Sequence, residues 1–244
     1  MDIDSLRDSP VGRLAPIKGH DPRIGKDYEY VAYVPNPLPE TVELAADTYS
    51  VVIDAAAAMA RADQSAALVP NPFLLARPAT RREAVSTSAL EGTYALLSDV
   101  FEADFLAAED LTSSVSEVRN YVTAAESAYD MIADGQPISI RMLESLQSVL
   151  LRGTPSDGPQ AGSVRTTQVF IGVGNRNVSS ARFVPPPADH RLLDGLQQWQ
   201  EWIREPSPVP TIVRVALAHY QFEALHPFHD GNGRLGRLVM LLQL

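Results

Sequence analysis

The stretch His226-Pro-Phe-His-Asp-Gly-Asn-Gly-Arg-Leu-Gly-Arg237, close to the end of the chain, decides the fold. Pro227 disfavours helical backbone at the residue before it, so we expect the preceding helix to end at His226. A new helical pattern begins almost at once after the glycines, at Leu235, Leu238, Val239 and Leu242. The stretch therefore predicts a short loop that opens onto the N-terminus of a helix.

The start of this helix has the composition of an anion site. Gly231 and Gly233 flank Asn232 and let the backbone turn its N–H groups outward, while the helix N-terminus adds free amides and the positive end of its dipole. That combination binds phosphate. Arg234 and Arg237 are three residues apart, so both side chains can reach an anion at the helix start.

Two further residues complete a reactive set. Asp230 is placed to hold a Mg²⁺ ion that bridges phosphate oxygens, and His226 can take a proton from an attacking hydroxyl. Base, metal ligand, anion nest and cationic side chains are the parts that phosphoryl or nucleotidyl transfer needs.

Two alternatives compete with this interpretation. A Gly-Asn-Gly sequence on its own is usually only a turn. A zinc site is the other alternative, although its histidines lack the i, i+4 pairing of a helical metal site; its ligands would be His219, His226, His229 and Asp230.

Composition narrows the class of protein. Thirty acidic residues against twenty basic ones give a net charge of −10, which disfavours nucleic-acid binding. The chain has no cysteine, so disulfides and thiolate catalysis are excluded. The N-terminus lacks the pattern of a secretory signal, and no apolar stretch is long enough for a membrane span. We expect a soluble cytoplasmic protein.

The rest of the chain has mainly helical patterns. Apolar spacing predicts helices at roughly 40–67, 80–105, 114–133, 139–151, 191–203 and 211–225, the second of them capped by Thr80. The proline-rich segment 28–39 predicts an extended arm. Trp199 and Trp202 are expected in the core, and Arg77, Arg81 and Arg82 on a solvated face.

One segment breaks the helical pattern. The runs 167–171 and 181–184 predict the two strands of a β-hairpin, with its turn at 172–177. The chain stops inside an apolar helical run at 239–244, from which we expect a longer parent protein.

The twelve-residue stretch resembles the signature of the Fic family, His-Pro-Phe-x-Asp/Glu-Gly-Asn-Gly-Arg-x-x-Arg, without a mismatch. Segments at 33–39, 82–93, 165–172 and 183–187 also resemble family segments, in the family's order. The resemblance implies an all-α Fic fold with a β-hairpin flap. Residues 1–110 would be an N-terminal helical region with an inhibitory motif, and residues 111–244 a catalytic core truncated at its C-terminus.

The resemblance also implies a reaction. Mg²⁺-ATP and a protein Tyr, Thr or Ser hydroxyl would give an AMP-protein and pyrophosphate, with His226 as the general base and Asp230 holding Mg²⁺. Gly231, Asn232 and Gly233 would cradle the α- and β-phosphates, while Arg234 and Arg237 would neutralise the β- and γ-phosphates. A flap would pair with an extended segment of the target protein by strand addition; its residues would be Thr167, Gln168, Val169, Phe170, Ile171 and Gly172.

A second motif lies upstream. Thr87-Ser-Ala-Leu-Glu91-Gly92 resembles the family's inhibitory motif, Ser/Thr-x-x-x-Glu-Gly/Asn. In such members the glutamate pairs with the second signature arginine, here Arg237, and blocks the γ-phosphate site. On a helix Thr87 and Glu91 share one face.

The resemblance leaves other functions open. Relatives transfer phosphate or phosphocholine, or remove AMP with the glutamate positioning a water molecule. A non-enzymatic interaction module, permanently locked by Glu91, is the remaining alternative. Relatives commonly dimerise, so a homodimer stays open as well.

Overall fold

The computed structural model describes residues 1–71, 73–172, 174 and 177–244. The expected mainly helical fold is confirmed. Its helices are α1 Ile3–Arg7, α2 Ala46–Ala67, α3 Phe73–Leu90, α4 Leu97–Glu102, α5 Ser113–Ala133, α6 Ile140–Leu151, α7 His190–Arg204, α8 Thr211–Leu225 and α9 Asn232–Leu242. Its strands are β1 Gly12–Asp21 and β2 Lys26–Pro35, and short 3₁₀ turns lie at Ala103–Phe105, Ala108–Asp110 and Val178–Ser180.

The core lies among α5, α6, α7, α8 and α9. Its largest fully buried side chains include Tyr121, Leu146, Trp199 and Phe222, which come from four of these helices. Phe228, in the loop between α8 and α9, is buried in the same cluster. The loop is therefore anchored to the core by its own aromatic side chain.

Several helix bounds agree with the sequence pattern, and two do not. The helix expected at 40–67 begins only at Ala46. α8 has the expected bounds, and the Ser139 side chain caps α6 by accepting the N–H of Met142.

The expected helix 80–105 is wrong at both ends, and its expected N-cap, Thr80, lies inside α3, where its hydroxyl donates to the carbonyl of Ala76 at 3.0 Å. α3 begins at Phe73 and ends at Leu90, where Gly92 adopts a φ of 87° that breaks the helix.

The N-terminal residues form a hairpin that the sequence pattern did not predict. β1 pairs antiparallel with β2 from Gly12 opposite Pro35 to Asp21 opposite Lys26. The proline-rich segment is extended as expected, but its first part is a paired strand rather than a lone arm. The backbone N–H of Tyr33 donates to the carbonyl of Val184 at 2.8 Å, which ties β2 to the segment after residue 180.

The hairpin expected at 167–184 is reduced to one antiparallel bridge, between Ile171 and Phe183. In this register the residues opposite 167–169 are prolines 185–187, which have no N–H to continue a ladder. The Gln168 side chain instead donates to the carbonyl of Pro185 at 3.0 Å. Three residues of the expected turn, Val173, Asn175 and Arg176, lie outside the described residues.

Two further expectations need correction. Arg81 is 4% exposed rather than solvated, because its guanidinium pairs with Asp104 at 2.5 Å and stacks on Phe101. Trp199 lies in the core as expected, whereas Trp202 is half-buried and donates to the carbonyl of Pro39 at 2.9 Å. None of the helices in the described parts of the chain combines the length and apolar character needed to cross a bilayer.

Candidate active site

His226 ends α8 in a left-handed conformation, with φ 48° and ψ 63°. Among the described residues it is the one non-glycine residue with positive φ. Pro227 disfavours the right-handed helical alternative at this position, and histidine is among the residues enriched in the left-handed region. The turn directs the chain out of α8 immediately before the loop.

Arg165 holds this turn from behind. It is 2% exposed, and its Nε donates to the carbonyl of His226 at 2.8 Å. The other guanidinium nitrogens donate to three more carbonyls, those of Thr167, Pro186 and Leu225. Sequence reasoning assigned no role to Arg165, because a buried arginine bound only to carbonyls leaves no charge pattern in the sequence.

The environment of His226 sets its protonation. Burial, together with the nearby positive charge of Arg165, lowers the pKa of His226 to about 4. The imidazole is therefore neutral at pH 7, which is the form that can accept a proton.

Asn232 closes the loop. Its side-chain oxygen accepts the N–H of Phe228 at 2.9 Å, and its side-chain nitrogen donates to the carbonyl of Phe228 at 2.8 Å. Both polar atoms of the Asn232 side chain are thus used by the loop backbone. An anion at this position would therefore be bound by backbone groups rather than by this side chain. Gly231, with φ 78°, supplies the left-handed residue that precedes α9.

Asp230 faces solvent beside the loop, with 48% of its side chain exposed. Its carboxylate accepts the hydroxyl of Ser156 at 2.5 Å and the N–H of Gly231 at 2.6 Å. The Gln147 side chain donates to the Asp230 carbonyl at 3.1 Å. The sequence pattern predicted neither the Ser156 contact nor the Gln147 contact.

The described residues do not bring three or more His, Cys, Asp or Glu side chains together as a metal site. The zinc ligand set considered from the sequence therefore does not assemble. A single exposed carboxylate beside an anion nest still fits Mg²⁺, which keeps several waters and commonly takes its other ligands from substrate phosphates.

Arg234 is buried and held by an acidic partner on α5. Its Nη1 lies 3.4 Å from Oε2 of Glu117, and the same oxygen accepts the hydroxyl of Thr93 at 3.0 Å. Glu117 thereby links the first arginine of the loop to the residues just after Glu91. This link was also missed from the sequence.

Arg237 meets both residues of the upstream motif. Its Nη2 lies 2.6 Å from Oε1 of Glu91 and donates to the Thr87 carbonyl at 3.2 Å. Its Nε donates to the Thr87 hydroxyl. The structure therefore brings Thr87, Glu91 and Arg237 together, as the family resemblance implied.

The Glu91 carboxylate also touches the glycine-rich turn. A Cβ atom placed on Gly233 would collide with Oε1 of Glu91 and would lie 3.1 Å from Nη1 of Arg237. Only glycine lets a negatively charged oxygen approach the backbone this closely. A carboxylate oxygen thus lies against the helix start, at the point where the sequence predicts a phosphate.

A second carboxyl, that of Glu223, is affected by the charge of the same arginine. Glu223 on α8 packs against Gly236 of α9, and burial raises the pKa of Glu223 to about 7. Arg237 lowers this pKa and Glu91 raises it, so the three side chains share one electrostatic environment.

Residues 167–172, here called the flap, begin beside the loop. The Thr167 hydroxyl lies 3.4 Å from Nε2 of His229. A cavity of about 620 Å³ opens between the flap, the turn after β1 and His229. The expected flap residues are thus adjacent to the loop, although they do not form a regular strand.

Comparison with known proteins gives matches over most of the chain. Residues 49–130 match the Fic/DOC family N-terminal model, and residues 137–244 match the Fic/DOC family model. Protein adenylyltransferase fic-1 of Caenorhabditis elegans is 36% identical over 89 residues, which cover 36% of this chain and 16% of that protein. Protein adenylyltransferase Fic of Drosophila grimshawi is 36% identical over 102 residues, 41% of this chain and 18% of that protein. These alignments span less than a fifth of either relative.

Solved structures show the same fold. A Fic family protein from Desulfovibrio desulfuricans G20 superposes with a TM-score of 0.64 at 25% identity, covering 84% of this chain and 59% of that one. Fic-1 from C. elegans superposes with a TM-score of 0.60 at 23% identity, covering 81% and 59%. With two family models matched in order and the signature loop at the start of α9, the chain belongs to the Fic/DOC family.

Proposed function

We propose that this chain is a protein adenylyltransferase that moves AMP from Mg²⁺-ATP to a hydroxyl of a protein Tyr, Thr or Ser, and that Glu91 inhibits it. The observation that carries the proposal is the position of the Glu91 carboxylate. It lies against Gly233 and pairs with Arg237 at 2.6 Å, so a negative oxygen already occupies the predicted polyphosphate site. The names of the relatives support the same activity.

The reaction assigns one task to each part of the loop. Neutral His226 accepts the proton of the target hydroxyl, whose oxygen forms a bond to the α-phosphorus of ATP. The bond between the α-phosphorus and the bridging oxygen breaks in line, and pyrophosphate leaves. Backbone amides at the start of α9, with Arg234 and Arg237, stabilise the leaving charge.

Mg²⁺ would be held by Asp230 together with ATP oxygens. When bound, the ion neutralises charge on the phosphates. The hydrogen bonds from Ser156 and Gly231 fix the carboxylate beside the nest, and the Gln147 contact fixes the Asp230 backbone.

Inhibition follows from competition for Arg237. A carboxylate and a phosphate oxygen seek the same guanidinium and the same backbone turn, so they cannot both bind there. ATP would then bind without its γ-phosphate in the productive place. The Thr87 contacts keep Arg237 aligned with Glu91.

Position-labelled ATP tests the reaction. The Glu91→Gly variant should transfer label from α-labelled ATP, and not from γ-labelled ATP, to proteins of a cell lysate, and chelating Mg²⁺ should stop the transfer. Transfer of the γ-label would show phosphoryl transfer instead. Absence of transfer from both labels would contradict the proposed enzymatic activity and favour a locked interaction module.

The pH dependence tests the base. Because the pKa of His226 is lowered to about 4, it stays neutral as the pH falls from 8 to 5.5. The pH dependence of kcat/KM reflects the ionisations of the free enzyme. We therefore expect that protonation of His226 does not lower kcat/KM of the Glu91→Gly variant between pH 8 and pH 5.5. A histidine of ordinary pKa would be neutral in only about a tenth of molecules at pH 5.5.

Glu223 can titrate near pH 7 and needs a control. The same profile measured with Glu223→Gln added removes that contribution. An acid limb near pH 6.5 that survives in the double variant would contradict the assignment of a low-pKa His226 as the base.

A further inference from the structure

The N-terminal hairpin β1–β2 lies outside both stretches that match the family, which begin at residue 49. It nevertheless packs on the flap and on the segment that returns from it. The buried cluster that joins them contains Ala32 from the hairpin and Ala181 and Val184 from the returning segment, with Phe170 of the flap packed against it. The hairpin is therefore the part of the chain that backs the flap.

One side chain at the hairpin turn makes the most specific contacts with this region. Arg23 Nη1 donates to the carbonyl of Gly174 at 3.0 Å, and its guanidinium carbon lies 5.4 Å from the centre of the Phe170 ring. Tyr28 contacts the same ring edge-on, with ring centres 5.1 Å apart. Phe170 is thus held between a cation and an aromatic ring, both from the hairpin.

Arg23 is itself fixed by a buried carboxylate. Asp21 is 2% exposed, and its two oxygens accept Nε of Arg23 at 2.9 Å and Nη2 at 2.7 Å. This bidentate pair occupies Nε and Nη2 of the guanidinium. The remaining nitrogen, Nη1, is the one that reaches Gly174.

The flap needs such an outside support. Its own pairing is a single bridge at Ile171, because prolines 185–187 cannot extend the ladder. Towards the catalytic loop, contacts are made by the first residue of the flap, Thr167, whose carbonyl accepts Arg165 and whose hydroxyl lies 3.4 Å from Nε2 of His229. The ring of Phe170 itself is contacted by Arg23 and Tyr28, both from the hairpin.

We propose that Arg23, locked by Asp21, is a positioning residue that holds the flap, residues 167–172, in place for the target protein. The part of this inference that concerns binding of the target protein rests on the proposed function. The cavity beside the flap is lined by His20, Asp21, Arg23 and Tyr28 as well as by flap residues and His229. A target segment paired with the flap edge would therefore contact the hairpin turn while its hydroxyl reaches the loop.

Hydrogen–deuterium exchange tests the positioning without any substrate. In Arg23→Ala and Asp21→Asn we expect the amides of the flap to exchange on the order of tenfold faster, while the core helices keep their protection. Arg13→Ala, an exposed arginine on the same hairpin, is the matched control and should leave flap exchange unchanged. Tyr28→Phe keeps the ring contact and should also behave as wild type.

A transfer assay tests docking. With α-labelled ATP and a cell lysate as the mixed protein acceptor, Arg23→Ala is added to the Glu91→Gly background. The half-saturating lysate concentration should rise about tenfold, with the ATP KM and the maximal rate unchanged, because the loop is untouched. Unchanged flap exchange in Arg23→Ala would overturn the positioning role.

The two experiments distinguish a failure of the proposed function from a failure of the inference about Arg23 and the flap. If the Glu91→Gly parent transfers no label, the proposed function fails, and the exchange measurement still decides whether Arg23 holds the flap. If the parent is active and Arg23→Ala loosens the flap without raising the half-saturating lysate concentration, the docking role is overturned while the enzyme stands.

Discussion

We expect His226→Ala, measured in the Glu91→Gly background, to lower the rate of AMP transfer by roughly 10²–10⁴-fold, the usual effect of removing a general base. The neutral imidazole at the end of α8 is the one proton acceptor that the proposed mechanism uses. Calorimetric ATP affinity should change little, because the anion nest begins at Gly231. Label incorporation from α-labelled ATP measures the rate.

The alanine variant alone would not separate loss of the base from backbone strain, because residue 226 has a φ of 48°. His226→Asn is the better-matched variant, because asparagine tolerates the left-handed region and lacks the imidazole. Both variants should lose transfer, whereas His190→Ala, an exposed histidine, should not. Normal activity in a folded His226→Asn protein would show that another group is the base.

The second large effect is an activation. We expect Glu91→Gly to raise turnover roughly tenfold, because it removes the carboxylate that competes with phosphate for Arg237. Glu91 is 41% exposed, so solvent screens its pair with Arg237 and the gain should stay near this value. Initial rates of α-label incorporation at saturating ATP measure it.

Two further variants isolate the cause. Glu102→Gly replaces an exposed glutamate at the end of α4 and should leave the rate unchanged. Arg237→Ala in the Glu91→Gly background should cancel the gain, since both effects act through one guanidinium. Equal rates for wild type and Glu91→Gly would disprove inhibition by this residue.

The sequence predicted the local features of the site better than the long-range contacts that hold the site in place. The loop and its position before α9 follow from short spacings, namely a proline after His226 and paired glycines, and the shared helix face of Thr87 and Glu91 follows from their spacing of four. Such signals act within a few residues, where backbone preference and helix geometry dominate. The contact of Glu91 with Arg237 spans 146 positions and was implied by the family resemblance alone.

The supporting contacts depend on long-range packing and were not predictable in this way. The contacts of Arg165 with His226, of Ser156 with Asp230 and of Glu117 with Arg234 span 61, 74 and 117 positions along the chain. The hairpin β1–β2 did leave a signal, since Tyr28 and Tyr30 alternate in β2 and Pro22 and Gly25 lie in the turn that precedes it. The sequence pattern predicted only an extended arm at 28–39, without the pairing of β2 to β1.

The four carbonyls bound by Arg165 have a consequence for redesign. One guanidinium joins the end of α8, the first residue of the flap and the proline segment that returns from it. The signature loop therefore cannot be moved to another protein on its own. A chimera that exchanges the loop between relatives must also carry the arginine and the matching backbone turns, or His226 will lose its strained turn even though all twelve signature residues are present.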